Sequence, residues 1–381
     1  MPADPLPALP LPHRAATADR DLLAQVSAAV GWWAGQRTWQ VSSSHTGGGV
    51  IAALESAVAA AVAPGARALA LPSGTAALLA ALVAAGVGPG DRVGVPAADW
   101  TASGAVLRLL GATAVPLAVS PRTGLLEVNR IAAAGLTALV AVHLHGLTCD
   151  VPALVRAFPG VPVVEDAARA WAARYPDGRP VGSCADVCAF SFGSAKLPGA
   201  GELGCLVTRD EDRYRAAVRR TQHPTRQLLA GVPEPSRDQV MTRVAPVAAL
   251  LGAYLLHEHA EAVPALRAAA ARAAAALRAA GLTVLTDPDL HAPGTVAVVA
   301  SRNETRAALA GADVAVTALD GADVTVHPDY PRRLARALRL GELTVVTCAP
   351  DCRGAAAPPS SPVTNGNRAE KGVTAMEPHR N

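Results

Sequence analysis

Short apolar runs alternate with helical patterns between about residues 50 and 210. The runs are apolar throughout and do not alternate with polar residues, which is typical of strands buried on both faces of a mainly parallel sheet. Predicted strands cover residues 66–71, 91–95, 114–118, 138–142, 161–165, 187–192 and 203–208, and predicted helices cover residues 51–63, 75–85, 102–110 and 151–157. Strands and helices in this order predict an α/β fold with helices on both faces of the sheet.

The pattern changes after about residue 211. Two long helices rich in Ala, Arg and Leu are predicted at 243–258 and 260–280, and short strands follow at 282–285, 295–300, 323–326 and 343–347. These elements predict a smaller C-terminal α/β domain. We therefore expect a flexible arm at residues 1–14, a large domain at 15–240, a small domain at 241–352 and a disordered tail at 353–381.

Composition and charge exclude several classes of protein. The chain is 51% hydrophobic and 17% charged, with a net charge of +3 and no block of basic residues, so we expect neither a nucleic-acid nor a membrane partner. The N-terminus lacks the pattern of a signal peptide, and Gly, Pro or charged residues interrupt the apolar stretches, so a cytoplasmic protein is expected. Only two lysines, Lys196 and Lys371, occur among the 34 basic residues.

The cysteines give no metal or redox signal. Six are present, at positions 149, 184, 188, 205, 348 and 352, and none of the spacings matches CxxC. We interpret them as small buried hydrophobic residues in a reduced compartment, and we expect no metal site.

A candidate anion site follows the first predicted strand. Ser73, Gly74 and Thr75 open the next helix, whose free N–H groups suit a phosphate. A simple helix cap is the alternative. A dinucleotide site would need GxGxxG after a strand, whereas the triple glycine at 47–49 follows the polar run SSSHT.

Three further segments place chemistry at strand ends, where ligands bind in open parallel sheets. Asp166 follows the strand VPVVE, where an acid can bind a cation, cap a helix or pair with a ring nitrogen. Lys196 leaves an apolar strand through Ser191 and a turn of small residues, and desolvation there favours the neutral amine that forms Schiff bases. Trp100 could stack on a planar cofactor or belong to the core or an interface.

The order and spacing of these segments resemble the sugar-aminotransferase family often called DegT/StrS. The matching stretches lie within residues 48–215 and include LPSGTAALLAAL, ALVAVHLHG, VVEDAARAWAARY, GRPVGSCADVCAFSFGSAK and GELGCLVTRDED. The resemblance implies a fold-type I transferase that uses pyridoxal 5′-phosphate (PLP), with a mainly parallel seven-stranded sheet.

The resemblance also assigns roles to particular residues. Lys196 would hold PLP as a Schiff base and later move the proton between substrate and cofactor, and Asp166 would pair with the pyridine nitrogen. Trp100 would stack on the ring and His143 would have a supporting role. The phosphate would be held by the residues Ser73, Gly74, Thr75 and Ser191.

The chain departs from the family pattern at several positions. Arg169 stands where the family usually has Gln on the side of the ring hydroxyl, and it points either to the ring or to solvent. The family usually has an Asn two residues before an Arg that reaches a phosphate across the dimer interface; here Arg243 remains and Met241 takes the Asn position. The polar insertion at 221–226, which contains His223, is either an exposed loop or a substrate contact.

Three functions are compatible with these residues. The first is an aminotransferase that moves an amino group from a donor such as glutamate to a keto-sugar, a keto-cyclitol or another specialised metabolite, as in antibiotic biosynthesis. The second is a PLP-dependent lyase or dehydratase, which Arg169 and Met241 favour. The third is a non-catalytic member of the family. The resemblance implies a homodimer with the site at the interface, and the sequence does not identify the substrate, the amino donor or the pathway.

Overall fold

The computed structural model describes residues 24, 26–32, 34, 44–131, 135–240, 242–312, 314, 316–321, 325–326 and 343–348. These residues belong to one compact unit within residues 1–350. The predicted arm at 1–14, the predicted tail at 353–381 and Met241 lie outside the described residues. The predicted domain boundary at residues 240 and 241 stays a prediction.

A seven-stranded sheet forms the centre of the fold, in the order β1-β8-β7-β6-β5-β2-β4. β8 is antiparallel to both β1 and β7, and the other neighbours are parallel. The predicted α/β fold with a mainly parallel sheet is therefore confirmed. The strands are β1 (Arg67–Leu71), β2 (Arg92–Pro96), β4 (Thr113–Leu117), β5 (Ala138–Val142), β6 (Val163–Asp166), β7 (Val187–Ser191) and β8 (Gly204–Thr208).

Helices cover both faces of this sheet. One face packs against α1, α4 and the first half of α7, and the other packs against α2, α3 and α5. Side chains of successive strand residues point to opposite faces, so strands such as β1, β5 and β8 contribute residues to both cores. The α-helices between residues 50 and 279 are α1 (Val50–Val62), α2 (Gly74–Ala84), α3 (Ala102–Leu109), α4 (Val151–Ala157), α5 (Glu211–Thr221), α6 (Pro224–Leu229) and α7 (Pro246–Ala279).

Local sequence explains where several helices begin. The Ser73 hydroxyl accepts a hydrogen bond from the Ala76 N–H at the start of α2, and Asp150 does the same for Ala153 at the start of α4. Asp210 caps α5 in the same way. These side chains satisfy N–H groups that have no partner inside the helix.

The C-terminal helix is longer than the sequence predicts. The two helices expected at 243–258 and 260–280 form the single helix α7, with Pro264 inside it. The prediction of a break was wrong because both halves are held by packing: residues 249–256 contribute to the core under the main sheet and residues 269–277 to a second core. Among the described residues, no helix has both the length and the apolar run needed to cross a bilayer.

A second, antiparallel sheet follows, in the order β11-β13-β10-β9. Its strands and the adjoining helix are β9 (Thr283–Val284), β10 (Thr295–Val299), α8 (Arg302–Leu309), β11 (Val316–Gly321) and β13 (Leu343–Cys348). The strand predicted at 323–326 does not join it. Instead β12 (Thr325–Val326) pairs antiparallel with β3 (Ala98–Asp99), which follows β2 in the chain. The two strands form a separate two-stranded sheet.

Candidate active site

A cavity of about 520 Å³ opens at the carboxyl ends of the parallel strands. The N-terminus of α2, the segment after β5, the end of β6 and the loop after β7 form its walls. Arg302 and Val345, from the C-terminal part of the chain, also line it. All the site residues predicted from the sequence lie on this cavity: Ser73, Gly74, Thr75, Trp100, His143, Asp166, Arg169, Ser191 and Lys196.

The first wall is a close contact between the start of α2 and the end of β7. A Cβ built on Gly74 would lie 2.4 Å from the Ser191 Cβ, so a larger residue cannot be placed there without a shift. Thr75 is exposed at the helix start. The unpaired N–H groups of α2 and the hydroxyls of Thr75 and Ser191 therefore face the cavity together, which suits an anion.

Lys196 provides an amine in a partly desolvated position. Burial, followed by the nearby Arg169 guanidinium, lowers the pKa of Lys196 to about 8, whereas Asp166 acts in the opposite direction. About half of the amine is therefore neutral at pH 8, compared with a very small fraction for an exposed lysine. A neutral amine in a cavity is the form that adds to a carbonyl group.

Asp166 ends β6 and is 9% exposed. Its Oδ1 accepts a hydrogen bond from the Ala168 N–H at 3.0 Å. Burial raises the pKa of Asp166, while Ala168, Lys196 and His143 partly compensate. A cation bound in the cavity beside this carboxyl group would favour its charged form.

Asp99 is a second buried acid on this cavity, which the sequence interpretation missed. Its carboxylate accepts hydrogen bonds from the Ser103 hydroxyl and the Trp100 N–H, both at 2.6 Å. Burial, followed by the charge of Asp166, raises the pKa of Asp99 to about 7. The signal was its position directly before Trp100 at a strand end, within the turn PAAD.

The two histidines of the segment VHLHG have different environments. His143 accepts a hydrogen bond from the Cys149 N–H on Nδ1 at 2.9 Å, so its Nε2 donates to Glu165 at 2.6 Å. His145 has a left-handed backbone, with φ of 57°, and lies on the cavity wall. Its Nε2 is buried without a hydrogen-bond partner among the described residues. Burial, followed by Arg169 and Lys196, lowers the pKa of His145 to about 4.

Trp100 and Arg169 lie at the more open part of the cavity. Trp100 is 61% exposed, so its ring stands at the mouth and not in the core. Arg169 is half-buried and faces the cavity close enough to lower the pKa values of both Lys196 and His145. His223 is not part of this wall; its ring lies 4.5 Å from the ring of His45 and its Nδ1 caps α6.

The described cysteines are all free thiols, as the sequence predicts. Those at 149, 188, 205 and 348 are buried, whereas Cys184 is half-buried, and Cys352 lies outside the described residues.

The fold is that of a known family. The model of the DegT/DnrJ/EryC1/StrS aminotransferase family matches residues 36–337. The chain belongs to this family. The resemblance seen within residues 48–215 is therefore confirmed, and the match extends to residue 337, beyond the residues that the sequence motifs covered.

Characterised members of the DegT/DnrJ/EryC1/StrS family resemble part of the chain. It is 37% identical over 162 residues to 3-amino-5-hydroxybenzoate synthase of Amycolatopsis mediterranei, covering 41% of this chain and 42% of that protein. It is 37% identical over 158 residues to L-glutamine:2-deoxy-scyllo-inosose aminotransferase of Streptomyces lividus, covering 40% of this chain and 36% of that protein. These matches span less than half of the relatives' own length.

Solved structures show that the similarity of fold is more extensive. A crystal structure of 3-amino-5-hydroxybenzoic acid synthase covers 90% of this chain and 92% of its own, with a TM-score of 0.65 and 24% identity. DesV of S. venezuelae, solved in complex with a ketimine intermediate, covers 87% of this chain and 90% of its own, with a TM-score of 0.64 and 26% identity.

PLP is the cofactor of the DegT/DnrJ/EryC1/StrS family, and the residues present fit it. Gly74, at the start of α2, packs directly against Ser191, so the N-terminus of this helix and Ser191 line the cavity side by side, which suits an anion. Lys196 and Asp166 supply an amine and a carboxylate on the same cavity. The Nε2 of His145, buried without a partner among the described residues, is a further group that a bound molecule would satisfy.

Proposed function

We propose that the protein is a PLP-dependent aminotransferase that delivers an amino group to a keto-sugar, a keto-cyclitol or a similar small metabolite. The observation that carries this proposal is the placement of Lys196, with its lowered pKa, on one cavity with Asp166 and the anion-binding start of α2. The aminotransferase names of its relatives support it.

Each group on the cavity has a role in this proposal. When bound, PLP supplies a carbonyl carbon for the amine and a ring that withdraws electrons. In each half of the reaction, the Lys196 Nζ would move a proton between the substrate carbon and the cofactor, in opposite directions for donor and acceptor. The Asp166 carboxylate would keep the ring nitrogen protonated, and the start of α2 with Ser191 would hold the phosphate.

We infer that Trp100, at the mouth of the cavity, covers one face of the cofactor ring. His143 has a positioning role in this proposal, because both of its ring nitrogens already form hydrogen bonds, one with the Cys149 N–H and one with the Glu165 carboxylate. Arg169 lies beside Lys196 and keeps its amine less basic.

We further propose a cytoplasmic homodimer with a small domain from about residue 241. The Nη1 of Arg243 is buried without a hydrogen-bond partner among the described residues. This supports a role for Arg243 in binding a phosphate across the dimer interface. Light scattering of the purified protein measures the oligomeric state, and a monomer at micromolar concentration would contradict this part of the proposal.

The experiment is an absorbance and activity measurement on the holoprotein. We expect glutamate or glutamine to remove the visible band of the bound cofactor and a keto acceptor to restore it. The Lys196→Ala variant should lose the band and at least about 10³-fold of the activity, while Lys371→Ala should keep both. A Lys196→Ala variant with the band and full activity would contradict the proposal.

A PLP-dependent lyase or dehydratase is the second candidate, because Arg169 stands beside Lys196 where the family usually has Gln. Product formation without any amino donor would favour this alternative. A cofactor band that responds to the acceptor substrate but not to glutamate or glutamine would favour it as well.

A further inference from the structure

A second cavity, of about 500 Å³, lies between α1, α7 and the segment from Trp171 to Val181. It shares no lining residue with the cofactor cavity. Phe190, which forms part of its floor, belongs to the core on the α1 and α7 side of the main sheet. Its volume lies within the range of small-molecule sites, roughly 300 to 1,000 Å³.

His259 of α7 is the polar group that distinguishes this cavity from an ordinary packing gap. The residue is 5% exposed and lines the cavity. Neither of its ring nitrogens has a hydrogen-bond partner among the described residues. The equally buried His143, by contrast, uses both nitrogens. An unsatisfied buried imidazole costs free energy that a bound polar group would recover.

The protonation state of the His259 imidazole allows it to act as a neutral hydrogen-bond donor. Burial lowers the pKa of His259 to about 4, so at neutral pH the ring carries one N–H and one acceptor nitrogen. The N–H can donate to an oxygen of a bound molecule.

The remaining lining selects for aromatic and anionic groups. Trp171 and Phe190 meet edge to face, with ring centroids 5.1 Å apart, and Trp32 also lines the cavity. Arg174 and Arg267 are the charged lining residues, and no carboxylate side chain lines the cavity in the described part of the chain. The Arg267 guanidinium is held in place by the carbonyl oxygens of Ala172 and His291, at 3.0 and 3.3 Å.

We propose that this cavity is a second binding site, which takes a small aromatic carboxylate. The ring packs on Trp171 and Phe190, and a carboxylate oxygen accepts a hydrogen bond from the His259 imidazole within the positive field of the two arginines. This site is independent of the aminotransferase proposal, since it uses none of the cofactor residues.

The experiment is calorimetric titration of the PLP-loaded protein with 2-naphthoate and with benzoate. We expect one site per chain and no change in the cofactor absorbance band. The amides 2-naphthamide and benzamide have almost the same shape without the charge. They should bind at least about tenfold more weakly, which corresponds to about 1.4 kcal/mol.

Variants on α7 test the role of His259 directly. His259→Phe and His259→Gln should each weaken 2-naphthoate binding at least about tenfold, and thermal unfolding shows whether both are folded. Glu258→Gln is the matched control, because Glu258 is the neighbour of His259 on the same helix, is exposed and does not line the cavity. This control should change the affinity less than about threefold.

Four results would overturn the proposal. The first is the absence of binding by either carboxylate, as expected if a second copy of the chain covers the cavity. The second is equal binding of acid and amide to the wild-type protein, which needs no variant. The third is unchanged affinity in folded His259→Phe. The fourth is a shift of the cofactor band on binding, which would place the carboxylate in the cofactor cavity.

Discussion

Glu165 and Asp166 are neighbours on β6, yet their carboxylates have opposite surroundings. Glu165 points towards the α1 and α7 side, is completely buried, and accepts hydrogen bonds from His143 and the Tyr175 hydroxyl. Asp166 points to the other face, opens onto the cofactor cavity, and receives one hydrogen bond, from a backbone N–H. The two-residue repeat of a strand therefore separates an acid that stabilises the fold from one that is available for chemistry.

The histidines 143 and 145 repeat this difference in the segment that follows the neighbouring strand β5. The ring of His143 is held between Cys149 and Glu165, whereas His145 turns into the cavity through a left-handed residue. A left-handed backbone is energetically unfavourable for residues other than glycine, so the surrounding structure must hold His145 in this conformation. Identical residue types two positions apart thus serve the core and the cavity.

The largest effect should come from Asp166→Asn. Removing this carboxylate removes the group proposed to keep a proton on the ring nitrogen, so we expect turnover to fall about 10²- to 10⁴-fold. Steady-state kinetics with saturating cofactor measure it, and thermal unfolding checks that the variant is folded. Turnover within about threefold of wild type would show that Asp166 is not part of the chemistry.

Glu165→Gln should lower the stability of the fold and leave turnover nearly unchanged, in contrast with Asp166→Asn. The amide oxygen can still accept from His143 and Tyr175, but its NH₂ group takes the place of Oε2, which has no hydrogen-bond partner among the described residues. We expect the free energy of unfolding to fall by about 1 to 3 kcal/mol, with turnover nearly unchanged at a temperature where the variant is folded. Denaturant titration measures the loss; a stable variant with low turnover would reverse the proposed division.

Asp99→Asn should change the dependence of stability on pH. Burial and Asp166 raise the pKa of Asp99 to about 7, so above pH 4 the folded chain retains a proton that the unfolded chain releases. This contribution to stability is present at low pH and is lost as pH rises through 7.

Between pH 5 and 8 we therefore expect the stability of the wild type to fall by about 1 to 3 kcal/mol more than that of Asp99→Asn. Denaturant titrations of the cofactor-free proteins at both pH values measure the difference. Parallel pH profiles for the two proteins would mean that Asp99 is ionised throughout.

Arg169→Gln should have the smallest effect. Removing the guanidinium removes one of the two causes that lower the pKa of Lys196, so this pKa should rise. The rate of amine labelling of the cofactor-free protein at pH 7.5 should fall about 3- to 10-fold. Lys371→Ala is the useful background, since it leaves one lysine in the chain. An unchanged labelling rate would mean that Arg169 does not act on Lys196.

Much of this cavity was predictable because its parts are local in sequence. Ser73, Asp166 and Lys196 each follow an apolar strand, and the carboxyl ends of parallel strands meet at one edge of a sheet. The sequence left open whether Trp100 and Arg169 face the cavity, and the structure places both on its wall. Membership of the family then extended the match to residues 36–337.

The remaining features depend on contacts between distant segments. Asp99 becomes significant because the fold buries it and brings it close to Asp166, and both effects raise its pKa. The two histidines differ because the ring of His143 is held by hydrogen bonds with Glu165 and Cys149. No local sequence pattern reveals these partners. The pairing of β12 with β3 joins two short segments from opposite ends of the chain, and strand propensity alone cannot choose such a partner.

The placement of β8 has a consequence for the order in which the protein can be made. β1 stands at the edge of the main sheet and pairs with β8, so the segment that ends in the Ser73 turn acquires its backbone partner only after residues 204–208 have left the ribosome. Lys196 has by then already been synthesised. A nascent chain that ends before residue 204 therefore contains both the Ser73 turn and Lys196 but lacks the strand through which β1 joins the main sheet.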